Sequence, residues 1–217
     1  MTRTHKTVII LAACIALVLG LTVNKVLNSR GDGMDKAALL DAGIVLLPQS
    51  RSLPDLTLTD QNGQPVQRDQ FKGKWHLLFF GYTFCPDICP ATLAQLRQLQ
   101  GMLPGKARDR LGVTLVSVDP YRDTPQQLKK YLGFFDASFQ GLTGTSQDIQ
   151  KLASAVSIPY IPADTSQENY TVDHSGNLVI LGPDGSQRGF IRAPLHNDKL
   201  AAQLPALLSS DDNGAGG

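Results

Sequence analysis

With 217 residues, 42% of them hydrophobic, the chain is long enough to bury one sizeable core and to carry appendages beyond it. Its 20 Lys and Arg against 19 Asp and Glu leave a formal net charge of +1. Nothing in the sequence stands out as basic enough for nucleic-acid binding.

Arg3, His5 and Lys6 precede an uncharged apolar run over residues 7–23, with Asn24 and Lys25 just beyond it. At about 1.5 Å per residue the run just spans a hydrocarbon core of about 30 Å, and Val26 and Leu27 can extend it. A single transmembrane helix is therefore expected, with its basic side in the cytoplasm and the rest exported. A cleaved signal peptide is the alternative, but Leu21-Thr22-Val23-Asn24 is a poor cleavage site. Leu11-Ala12-Ala13-Cys14 is similar to a lipoprotein box. Apolar residues 15–23 follow it where a polar tether belongs, so Cys14 reads as a small apolar residue inside the membrane helix.

Residues 1–27 are thus the anchor and residues 28–45 a tether, polar and glycine-bearing at first, in which residues 35–42 can form a short helix. Residues 44–47 run apolar up to Pro48, and residues 53–59 alternate as a half-buried strand does. Asp60-Gln61-Asn62-Gly63 has hairpin chemistry and returns into Pro65-Val66, so an N-terminal hairpin leads to a central strand over residues 75–80. Residues 81–84 are the turn after it, and the helix formers from Pro90 to Leu96 open a helix. The β-branched run over residues 113–118 is a second inner strand. Thr124 caps a helix with Pro125 at its first position, running to residue 135. Another helix follows near residues 146–156. Residues 178–181 and 189–191 flank Gly182-Pro183-Asp184-Gly185 as a second hairpin. Residues 195–208 form the closing helix, and residues 209–217 are a glycine-rich, acidic tail with too few apolar residues to order. This alternation is an α/β order, with the domain proper over residues 46–208.

Cys85 and Cys89 fall at the end of the central strand, where ligands bind in open α/β sheets. At a helix N-terminus the unpaired N–H groups and the dipole favour thiolate, the form that attacks disulfides and binds metal. If the first turn begins near Cys85, the i, i+4 spacing puts both sulfurs on one face, close enough to clamp one ion or to form a disulfide. A purely structural staple is the alternative. Closing so short a loop gives roughly 2 kcal/mol against about 4.7 kcal/mol for a hundred-residue loop, which favours a functional pair. His5 and His196 read as ordinary surface or core residues, and His76 has no polar companion in sequence. His174, between Asp173 and Ser175-Gly176 in a turn, can lie over the cysteines with Asp173 orienting its ring. Asp119 and Asp123 with Arg122 read as a solvated turn and helix start, or else as an acidic rim where a partner docks.

Several stretches together resemble the SCO/SenC family of thioredoxin-like proteins. They are Thr57-Leu58-Thr59-Asp60-Gln61-Asn62-Gly63, Phe71-Lys72-Gly73-Lys74-Trp75, Phe79-Phe80-Gly81-Tyr82-Thr83-Phe84-Cys85-Pro86-Asp87-Ile88-Cys89-Pro90, Val116-Ser117-Val118-Asp119-Pro120 with Arg122-Asp123-Thr124-Pro125, Gly141-Leu142-Thr143-Gly144 and Tyr170-Thr171-Val172-Asp173-His174. The resemblance covers about residues 53–192. It implies a thioredoxin-like fold tethered to the inner membrane by one helix and facing the periplasm, with copper bound during cytochrome c oxidase assembly. Carried over by position, the copper ligands are Cys85, Cys89 and His174, with Asp87, Asp119 and Asp173 as neighbours. The cysteines are separated by three residues rather than the two of ordinary thioredoxins, which suits a metal site.

Two thiolates with one imidazole are a soft donor set for cuprous ion, and one that zinc also accepts. The leading expectation is a copper metallochaperone, not an enzyme, whose partners are the apo copper subunit of a terminal oxidase and another periplasmic copper chaperone. The alternative is a thiol-disulfide reductase that keeps a copper-receiving partner's cysteines reduced, with Cys85 and Cys89 as its redox pair. A peroxidase is a third, weaker reading, against which the Pro-rich spacing and His174 argue.

Overall fold

The computed structural model describes residues 5, 13, 15–21, 35–162, 165–166 and 170–210. Two units emerge, Met1–Asp35 and Lys36–Gly217. In the first, residues 15–21 are helical and exposed. Among the described residues no helix is long and apolar enough to cross a membrane. Apart from residues 5 and 13, the remainder of the expected anchor, Cys14 included, lies outside the described residues, as do residues 28–34 and the tail from residue 211.

In the second unit eight strands form one sheet: β1 (Ile44–Ser52), β2 (Thr57–Asp60), β3 (Pro65–Gln67), β4 (Trp75–Gly81), β5 (Leu111–Ser117), β6 (Gln140–Thr143), β7 (Leu178–Leu181) and β8 (Ser186–Ile191). Their order across the sheet is β1-β8-β7-β4-β5-β6-β2-β3. The helices are α1 (Lys36–Asp41), α2 (Ile88–Met102), α3 (Gly105–Asp109), α4 (Pro125–Gly133), α5 (Ser146–Ala155) and α6 (Asn197–Ser209). β4 runs parallel to β5 and β5 to β6, so each join needs a crossover: α2 and α3 supply the first, α4 the second. β7 pairs antiparallel with β4 and with β8. Trp75 and every residue from Leu77 to Gly81 are buried, because β4 is covered on both faces. Leu128 and Leu132 of α4 lie over Gly141 of β6, where an added Cβ would meet Leu132 Cδ1 at 2.8 Å.

Local signals hold where the chemistry is local. The Thr124 side chain accepts from Gln127 N–H with Pro125 in the first turn. Asp60 Oδ1 accepts from Asn62 N and Gln64 N at the β2–β3 turn, where Gly63 takes φ +79. Elsewhere the structure corrects the expectation. Pro48 does not end its strand: β1 runs on to Ser52, tolerating the proline because β1 is an edge strand whose register with β8 shifts between Leu46 and Arg51. Residues 53–56 lie outside any strand, and β2 begins only at Thr57. The β2–β3 hairpin does precede β4 in the chain, and in the sheet it pairs through β2 with β6, on the far side of β5. Residues 36–45, expected in the tether, form α1 and the start of β1 and fall within the second unit.

Candidate metal centre

Cys85 lies in the turn after β4, Cys89 in the first turn of α2, and His174 in the segment leading to β7. Their ligand atoms all lie within 4.8 Å of one another, the one such group of three found among the described residues. Cys89 Sγ stands 3.1 Å from His174 Nε2, and Cys89 N–H donates to Cys85 Sγ at 3.4 Å. Both cysteines are free thiols. Cys89 is 0% exposed and Cys85 8%, so the site opens outward on the Cys85 side.

The sulfurs meet for a different reason from the expected one. α2 starts at Ile88, so Cys85 is outside the helix and the i, i+4 argument does not place it. Instead Cys85 N–H donates to the Tyr82 carbonyl at 3.3 Å, closing a turn that folds Cys85 back over the helix start. Space for the second sulfur comes from Gly81, where an added Cβ would lie 2.7 Å from Cys89 Sγ. Nor is the Cys89 thiol acidified by the helix start. Burial pushes its pKa up, more than a backbone hydrogen bond from Tyr82 lowers it. In the metal-free state Cys89 is therefore a protonated thiol at neutral pH, and a metal must displace that proton.

His174 is oriented by the backbone. Its Nδ1 lies 2.8 Å from the Val172 carbonyl, an acceptor only, so Nδ1 carries the proton and Nε2 presents its lone pair toward Cys89 Sγ. Asp173, expected to orient the ring, is exposed and holds Ile161 N–H through its backbone carbonyl instead. The Tyr82 ring packs edge-on to the imidazole at 5.4 Å, and its hydroxyl accepts from Val172 N–H at 3.2 Å. Tyr82 is 2% exposed, and burial raises its pKa. Its role in holding the histidine segment had no signal in the sequence beyond its place in the motif.

Of the acidic neighbours, Asp87 is exposed and makes no capping bond from its side chain. Asp119 and Asp123 are both 0% exposed, which overturns the solvated turn and the acidic rim alike. Asp123 accepts from Thr83 N–H at 3.0 Å, Thr83 Oγ1 at 2.6 Å and Ser117 Oγ at 2.7 Å, fixing the cysteine turn two residues before Cys85. Burial raises its pKa while these hydrogen bonds pull it down. His76 packs edge-on to Phe71 at 5.4 Å, away from the cluster, and burial lowers its pKa to about 4. His5 and His196 are exposed.

Two sulfurs and one imidazole nitrogen, preset by backbone and half-enclosed, can hold one soft ion with a side left open for exchange. A family model described as SCO1/SenC matches residues 47–209. The chain belongs to the SCO1/SenC family. Among relatives of this SCO1/SenC protein is one from Stutzerimonas stutzeri named as a copper-binding protein, 51% identical over 179 residues, covering 82% of this chain and 88% of the relative. The copper-bound structure of ScoI from Bradyrhizobium japonicum is 34% identical and superposes with a TM-score of 0.63, covering 71% of this chain and 98% of that one. The apo Sco1 solution structures from Thermus thermophilus, also 34% identical, give 0.67 over 76% and 96%. The α/β architecture is accordingly the thioredoxin-like Sco fold.

Proposed function

We propose that this SCO1/SenC protein binds one copper ion through Cys85, Cys89 and His174 and passes it to the apo copper subunit of a terminal oxidase. The observation that carries the reading is the convergence of the three donors within 4.8 Å, with His174 Nε2 already aimed at Cys89 Sγ. The relative named for copper and the copper-bound Sco structure support the choice of metal. The family resemblance supports the binuclear copper site of cytochrome c oxidase as destination and a second periplasmic chaperone as source. The apolar run over residues 7–23 supports a single-pass inner-membrane anchor with the domain in the periplasm.

The sulfurs bind as thiolates, so loading displaces the Cys89 proton, while His174 offers the Nε2 that its Nδ1 contact with the Val172 carbonyl turns toward the sulfur. Cys85, the more exposed sulfur, is where a receiving ligand enters, so transfer proceeds by exchange at Cys85 while Cys89 and His174 still hold the ion.

A reductase reading is favoured by the same free thiols, since Cys85 and Cys89 are adjacent and unbridged. The two functions separate at His174, which disulfide exchange does not need. A strain carrying His174→Ala is compared at low copper with strains carrying Cys85→Ser or Cys89→Ser. Copper delivery requires loss of oxidase activity in all three; normal activity in the His174→Ala strain alone establishes the reductase.

A further inference from the structure

The metal centre is assembled from two stretches far apart in sequence, the cysteine turn and the segment from Tyr170 to His174. A third segment, the β5–α4 loop, reaches both through Arg122. Its guanidinium carbon lies 3.7 Å from the centroid of the Tyr170 ring and 4.9 Å from that of Phe84, the neighbour of Cys85. Arg122 Nε donates to Asp119 Oδ2, and a terminal nitrogen donates to the Tyr170 carbonyl at 3.2 Å. The Tyr170 hydroxyl donates to the other oxygen of the same carboxylate at 2.8 Å. Arg122, Asp119 and Tyr170 thus close a ring of contacts on the flank of the site.

A carboxylate with no exposure is costly to bury and does not by itself argue for stability, since a well-packed apolar substitute is often as stable. What such a pair fixes is geometry. Beyond Tyr170, Val172 N–H is held by Tyr82 and the Val172 carbonyl holds the His174 ring. Tyr170 stands at the head of that short segment, and Arg122 grips it by both ring and carbonyl. We infer that Asp119, Arg122 and Tyr170 form a positioning clamp that seats His174 over Cys89 and so sets copper affinity through the histidine rather than through the sulfurs. The inference rests on the copper reading above and assigns to these residues a regulation of the same site.

The test is a double-mutant cycle on the full-length chain in mild detergent, with Cu(I) affinity measured by competition against bicinchoninate and folding followed by circular dichroism. Tyr170→Leu removes the ring and hydroxyl without leaving a charge unpaired. Affinity should fall about 10-fold in the parent background, the scale on which groups behind a ligand act. In a His174→Ala background the same substitution should cost less than about 2-fold, because its route to the metal is gone. Tyr170→Phe, which deletes only the hydroxyl, should move affinity in the same direction by a smaller factor. Equal losses in both backgrounds, or no loss in the parent with either variant, overturn the clamp. If His174→Ala itself leaves affinity unchanged, the ligand assignment fails and the clamp with it; if His174→Ala weakens binding and neither Tyr170 variant does, the clamp alone fails.

Discussion

Gly81 is where the packing of the sheet and the metal centre make contact most closely. In Gly81→Ala the new Cβ would stand 2.7 Å from Cys89 Sγ, 3.0 Å from Phe79 Cε1 and 3.3 Å from Leu115 Cδ1. Ordinary contact begins at 3.4 Å, so the sulfur must retreat by about 0.7 Å or the strand must shift with it. Neither is free, because Phe79, Cys89 and Leu115 are all 0% exposed. Overpacking of this kind costs about 1–3 kcal/mol, and at about 2–4 °C per kcal/mol the melting temperature should fall by several degrees. Metal–ligand distances tolerate only about 0.2 Å, so copper affinity should fall at least about 10-fold. Gly101→Ala is the matched control: it lies in α2 with nothing within 4 Å of an added Cβ, and it should gain about 0.5–1 kcal/mol. Thermal melts and Cu(I) competition on both variants decide the matter. A Gly81→Ala protein with the melting temperature and affinity of the parent would refute the argument that this glycine makes room for the sulfur.

His76 should make the protein acid-sensitive. Its folded-state pKa of about 4 lies below the ordinary 6.5, so as pH falls the unfolded chain takes up the proton first. Stability from neutral His76 is complete above 6.5 and drains away down to about 4, a span worth about 3 kcal/mol; His76→Leu should flatten urea-melt stability across that window, and an unchanged slope would contradict it. Tyr82→Phe keeps the ring against His174 but leaves the buried Val172 N–H without its acceptor. It should cost about 1–3 kcal/mol of stability, measured by denaturant melts, together with copper affinity. Cys85→Ser and Cys89→Ser should each abolish copper retention on gel filtration and disulfide reduction of a model substrate, since neither activity survives on one sulfur.

What the sequence disclosed follows the range of the interactions. Thr124 with Pro125, and Gly182-Pro183-Asp184-Gly185 between two apolar runs, are complete within a few residues, and the α4 start and the β7–β8 hairpin follow from them. The turn residues Asp119, Arg122 and Asp123 mislead for the opposite reason. The burial of the two carboxylates depends on Thr83, Ser117 and Tyr170, and on packing that no local pattern reveals. Cys89 is similar: a helix start favours thiolate in isolation, but enclosure beneath β4 through Gly81 reverses the balance. His174 could be named from Asp173-His174 and the family resemblance, whereas its true orienting group, the Val172 carbonyl, is a main-chain atom that residue identity does not display.

The most direct measurement of the central claim is X-ray absorption at the copper edge of the full-length protein loaded with one equivalent of Cu(I). The arrangement of Cys85, Cys89 and His174 predicts a shell of two sulfurs and one nitrogen, with the nitrogen lost in His174→Ala and both sulfurs kept. A shell made only of sulfur in the parent protein, or a nitrogen that persists in His174→Ala, would contradict it.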